Sequence, residues 1–100
     1  MPKSSQKQII LSKIKNGQVV IGVVGLGYVG LPLALAYAEK GFRVLGFDID
    51  PKKIEALDQG KCYISHLDTA RVGQAMQSKR LLATTDFSRL GEADALIICV

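Results

Sequence analysis

The stretch Val19-Val20-Ile21-Gly22-Val23-Val24-Gly25-Leu26-Gly27-Tyr28-Val29-Gly30 decides how this chain folds. Its apolar, β-branched first half reads as a buried strand. The G-x-G-x-x-G that follows is a tight turn, and it opens a helix rich in Ala and Leu. Eighteen residues after Gly30, at the end of a second apolar strand, stands Asp48. Strand, glycine turn, helix, strand and acid in this register form the dinucleotide-binding fingerprint.

Each part of the fingerprint has its own physical task. Gly25 permits the sharp exit from the strand, Gly27 leaves room for a pyrophosphate, and Gly30 lets the helix approach the sheet. The backbone amides of Tyr28, Val29 and Gly30 open the helix and have no partner inside it, so with the helix dipole they favour an anion. Asp48, at the end of the second strand, is placed to accept hydrogen bonds from the adenosine ribose; a solvated strand-end acid is the plain alternative. Asp50 precedes Pro51 and a helical run, which reads as an N-cap followed by proline at the first helical position. A 2′-phosphate about 4 Å from Asp48 would be repelled by about 4 kcal/mol per charge at an effective dielectric near 20. The expected cofactor is therefore NAD rather than NADP, with Lys52 and Lys53 working against that preference.

Around this centre the chain reads as an α/β, Rossmann-type, doubly wound parallel sheet that stops after its fourth strand. The expected strands are Val19–Val24, Phe42–Asp48, Leu81–Thr84 and Ala95–Val100, in spatial order 3-2-1-4. Helices are expected over Tyr28–Lys40, Pro51–Gln59 and from Asp68-Thr69 to about Lys79, with one helical turn over Asp86–Leu90. Residues 1–17 read as a basic amphipathic leader and 18–100 as a partial nucleotide-binding domain. An apolar strand that ends without a turn signal implies that this is the front part of a longer protein, with an exposed edge prone to association.

Composition removes several classes of function. Hydrophobic residues make up 48% and charged residues 22%, which fits a globular α/β chain rather than a disordered one. The net charge of +4 comes from Lys3, Lys7, Lys13 and Lys15 in the leader, because the other nine basic side chains balance nine acidic ones. No basic face for nucleic acid is implied. No apolar run approaches a membrane span and no secretion signal is evident, so the expected compartment is the cytoplasm, with no membrane partner. Cys62, Cys99 and His66 lack metal-ligand spacing; no metal site and no nucleophile are expected, and Cys99 reads as core.

From Val20 to Val100 the chain resembles the N-terminal domain of the UDP-glucose/GDP-mannose dehydrogenase family. The resembling segments are IGVVGLGYVGLPLA, GFRVLGFDID, the Cys62-Tyr63-Ile64 stretch and LLATTDFSRLGEADALIICV. Their wording is nearest the UDP-N-acetylhexosamine 6-dehydrogenase branch. The resemblance implies a protein that oxidises a UDP-sugar C6 alcohol to a carboxylate with two NAD, through a cysteine-bound intermediate, and that is a homo-oligomer when full length. It places Gly25, Gly27, Tyr28, Val29 and Gly30 at the pyrophosphate, Asp48 at the ribose and Lys53 near the adenosine end. Lys53 also reads simply as an exposed helix lysine, and Tyr28 as a packing residue that lends only its N–H. The family's catalytic cysteine and lysine belong to later regions, so no catalytic residue is expected in this chain. Two other readings share the fingerprint: a non-catalytic dinucleotide-sensing regulatory domain, and another NAD-dependent dehydrogenase.

Overall fold

The computed structural model describes residues 19–64 and 67–99. The expected leader helix, His66 and Val100 lie outside them. Four strands, β1 (Val20–Val24), β2 (Arg43–Phe47), β3 (Leu81–Thr84) and β4 (Ala95–Ile98), form one sheet in the order β3-β2-β1-β4. All three pairings are parallel, with Val23 opposite both Gly46 and Ile97. Helix α1 (Gly30–Glu39) joins β1 to β2, while α2 (Pro51–Asp58) and α3 (Thr69–Gln77) join β2 to β3. From β3 the chain crosses back over β1, through a 3-10 helix at Phe87–Glu92, to reach β4. The strand order therefore reverses between β1 and β4, which opens a crevice at the carboxyl ends of these strands.

The core forms because α1 is apolar at helical spacing. Leu31, Ala34, Leu35 and Ala38 are all buried, on the i, i+3, i+4, i+7 stripe that faces the sheet. They meet Ile21, Val23, Val44 and Leu81 from the strands, with Leu57 of α2 and Val72 of α3 closing the cluster. Each fully buried leucine stabilises the fold by about 1.5–3 kcal/mol. On the other sheet face Phe47 is fully buried against Phe87 of the 3-10 helix, their ring centroids 5.8 Å apart.

Boundaries differ from the sequence expectation where backbone geometry intervenes. Helix α1 starts at Gly30 rather than Tyr28, because residues 27–29 form a turn and the first helical bond runs from Leu31 to Gly27. Helix α3 stops at Gln77, since Lys79 turns to φ 60 and ends the ladder. The 3-10 helix runs on to Glu92 from its Asp86 cap. Strand β4 ends at Ile98, and Cys99 is half-buried at the margin of the core rather than inside it.

Two glycines of the turn answer to different demands. A Cβ on Gly30 would overlap the carbonyl oxygen of Gly25, so the helix meets the turn only if Gly30 has no side chain. A Cβ on Gly27 would meet nothing within 4 Å. Gly30→Ala is accordingly expected to cost at least about 2 kcal/mol in urea unfolding, and Gly27→Ala less than about 1 kcal/mol. Equal losses would show that both glycines serve packing alone.

Candidate functional site

The site begins where β1 ends. Gly25 takes φ 95, donates its amide to the Phe47 carbonyl at 2.7 Å and lies so close to the Cys99 carbonyl that a side chain would collide with it. Leu26 then turns inward and is fully buried, filling the notch that Gly46 leaves on β2. Tyr28 and Val29 point outward, 72% and 69% exposed.

Helix α1 opens unlike the other helical segments among the described residues. Asp50, Asp68 and Asp86 cap α2, α3 and the 3-10 helix, each accepting from an amide two residues on. The N-cap of α1 is Val29, which offers no side-chain acceptor. Its first hydrogen bond runs from the Leu31 amide to the Gly27 carbonyl at 3.1 Å, so the amides of residues 28–30 stand ahead of the ladder. Amide hydrogens and the positive end of the dipole thus meet at one point, which suits a phosphate oxygen.

Asp48 is buried, 8% exposed, and it ties the two strand ends together. Its Oδ2 accepts from the Leu26 amide and its Oδ1 from the Asp50 amide, both at 2.9 Å. Lys53 Nζ stands 3.6 Å from Oδ2. Burial alone would raise the pKa of this carboxyl, but the two amides and the lysine outweigh it and hold the group below the ordinary aspartate value. An ionised carboxylate has about four acceptor sites, so capacity remains for ribose hydroxyls beside the bonds already made.

A cleft of about 380 Å³ opens beside this turn, walled by Gly27, Tyr28, Asp50, Lys52, Lys53, Tyr63 and Ile64. Of the residues expected from sequence, Gly27, Tyr28 and Lys53 are on its wall. Gly25 and Gly30 lie beneath the turn, Val29 caps the helix, and Asp48 reaches the cleft through Lys53. Asp50 does cap α2, donated to by the Lys52 amide at 3.0 Å.

Two residues escaped the sequence reading. Tyr63 reaches from the loop after α2, and its hydroxyl donates to the Leu26 carbonyl. Nothing local in the sequence foretold that contact. Ile49 is 84% exposed in the turn after β2. Its signal was legible, since an apolar residue between two aspartates in a Pro-containing turn is out of place unless something covers it. Among the described residues no cluster of His, Cys, Asp or Glu could hold a metal, and no helix is long and apolar enough to cross a membrane.

Residues 19–100 match the NAD binding domain of the UDP-glucose/GDP-mannose dehydrogenase family. The chain belongs to this family. A UDP-N-acetyl-D-mannosamine dehydrogenase of Methanococcus aeolicus is 41% identical over 93 residues, covering 90% of this chain and 20% of that protein. A crystal structure of GDP-mannose dehydrogenase from Pseudomonas aeruginosa superposes with a TM-score of 0.76 at 38% identity, covering 80% of this chain and 19% of that one. UDP-D-ManNAc dehydrogenase from Pyrococcus horikoshii gives 0.78 at 32% identity, covering 82% and 20%. The chain thus spans about a fifth of the length of these relatives. The residues present fit NAD: an uncapped helix start, an open approach at Gly27 and a buried carboxylate stand together.

The Asp48 bonds have a pH signature. A carboxyl held below its ordinary value of about 3.9 stabilises the fold fully above that pH, and the contribution fades as pH falls through the lower folded value. Asp48→Ala is expected to cost about 1–3 kcal/mol at pH 7, because the Leu26 amide loses its acceptor. Urea unfolding should show that gap narrowing below about pH 4. A gap independent of pH would mean that the charge contributes nothing.

Proposed function

We propose that the chain is the NAD-binding portion of a nucleotide-sugar 6-dehydrogenase that oxidises a UDP-N-acetylhexosamine at C6. NAD, when bound, supplies the hydride acceptor. The observation that carries the reading is the uncapped start of α1 beside the Asp48 carboxylate, in a chain of this family. The amides of Tyr28, Val29 and Gly30 take the diphosphate, with Gly27 leaving the approach open and Gly25 and Gly30 setting the turn. Asp48 accepts from the adenosine ribose, and Lys53 lies at the adenosine end of the cleft. The N-acetylhexosamine is favoured because a 41% identical relative is a UDP-N-acetyl-D-mannosamine dehydrogenase.

The sugar-oxidising residues and the contacts of a homo-oligomer belong, on this reading, to further regions of a longer protein. The cytoplasm is its proposed compartment, in keeping with Cys62 and Cys99 as free thiols.

Calorimetric titration tests the cofactor half of this reading. NAD is expected to bind at least about tenfold more tightly than NADP, because a 2′-phosphate would approach the Asp48 charge while Lys52 and Lys53 offset only part of the repulsion. Asp48→Ala should erase that preference by weakening NAD. Equal affinities in the unmodified chain would refute the ribose role of Asp48.

A further inference from the structure

The backbone of Leu26 is held on both sides by residues far away in sequence. Its amide donates to Asp48, and its carbonyl accepts from the hydroxyl of Tyr63, 37 residues on. Tyr63 is itself fixed. Ile64 beside it is buried in the core at 3% exposure, and the Cys62 thiol donates to the Ile64 carbonyl at 3.5 Å. The Tyr63 ring also carries Lys53, whose Nζ lies 5.8 Å from the ring centroid and 3.6 Å from Asp48 Oδ2. Asp48, Lys53 and Tyr63 thus close a ring of contacts around Leu26 that holds the peptide groups on either side of it, immediately ahead of the amides that open α1.

We propose that Tyr63 is a positioning residue for the diphosphate turn: its hydroxyl pins the Leu26 carbonyl so that the amides after Gly27 face the cleft. This rests on the diphosphate reading of that turn. Asp48 holds only the peptide between Gly25 and Leu26; without Tyr63 the next peptide, which carries both the Leu26 carbonyl and the Gly27 amide in one plane, could rotate and swing that amide. Bonding both flanking peptides removes that freedom before any ligand arrives, so less ordering remains to be done on binding. Burial, then the nearby Asp48 charge, raise the phenol above its ordinary value, so the hydroxyl keeps the proton it donates. The ring does separate work by orienting Lys53 through a cation–π contact.

Tyr63→Phe removes the hydroxyl and keeps the ring. In the ligand-free variant, NMR should show the Leu26 carbonyl carbon and Gly27 amide displaced from their parent shifts. Affinities for NAD and for inorganic pyrophosphate should both fall about three- to tenfold, the loss of one hydrogen bond. Ala75→Gly, in α3 and away from the turn, controls for lowered stability and should leave both affinities unchanged. Unmoved loop shifts, or affinities within twofold of the parent, would overturn the positioning role. Binding of neither ligand by the unmodified chain would instead overturn the diphosphate reading, and the positioning role with it. If Tyr63→Phe does not fold, the Tyr63 hydroxyl proton of the unmodified chain is expected as a slowly exchanging NMR resonance coupled through space to Leu26 and Gly27; a rapidly exchanging hydroxyl counts against the pin.

Discussion

The hydrogen bond from the Leu26 amide to the Asp48 carboxylate joins the loop after β1 to the turn after β2, and the site is organised around it. Both strands deliver their chains to the same end of a parallel sheet, where backbone amides and carbonyls no longer have ladder partners. One buried carboxylate satisfies two of those amides, on Leu26 and Asp50, and thereby fixes how the glycine turn leaves the sheet. A neutral side chain would make weaker bonds there, because hydrogen bonds to a charged acceptor are about twice as strong. On the proposed function the same charge would also accept from ribose hydroxyls, so that folding and binding would draw on one functional group.

Sterics supply the second constraint. Gly25 and Gly30 bring three backbone segments, the β1 turn, the α1 start and the chain after β4, closer than any side chain would allow. Leu26 enters the core through the notch at Gly46 and anchors the turn by its side chain, while Asp48 holds the peptide before it and Tyr63 the peptide after it. Tyr28 and Val29 lie at the surface beside the uncapped helix. The arrangement is preorganised. Amides that would otherwise need to be gathered around an anion already lie together at the positive end of α1.

Much of this was legible in the sequence because it is local. The glycine spacing, the Asp50-Pro51 helix start and the alternation of strands with helices each follow from neighbours a few residues apart; the 3-2-1-4 order follows from the doubly wound topology that the fingerprint implies. What was not legible depends on contacts at long range. Tyr63 reaches a carbonyl 37 residues away, and nothing in Cys62-Tyr63-Ile64 announces it. Asp48 was read as a ligand acid, whereas its bonds to Leu26 and Asp50 give it a structural task as well. Apolar content continues smoothly from Tyr28, but the turn over residues 27–29 delays the start of α1 to Gly30. Ile49, exposed between two aspartates, is a local signal that the sequence itself carries.

A crystal structure of the chain with NAD bound is the most direct measurement. The expected result is a diphosphate on the amides of residues 28–30 and an adenosine ribose on Asp48, with the Leu26–Asp48 bond still in place. A diphosphate bound elsewhere, or a Leu26 peptide swung away from Asp48, would contradict a turn that is built before its ligand arrives.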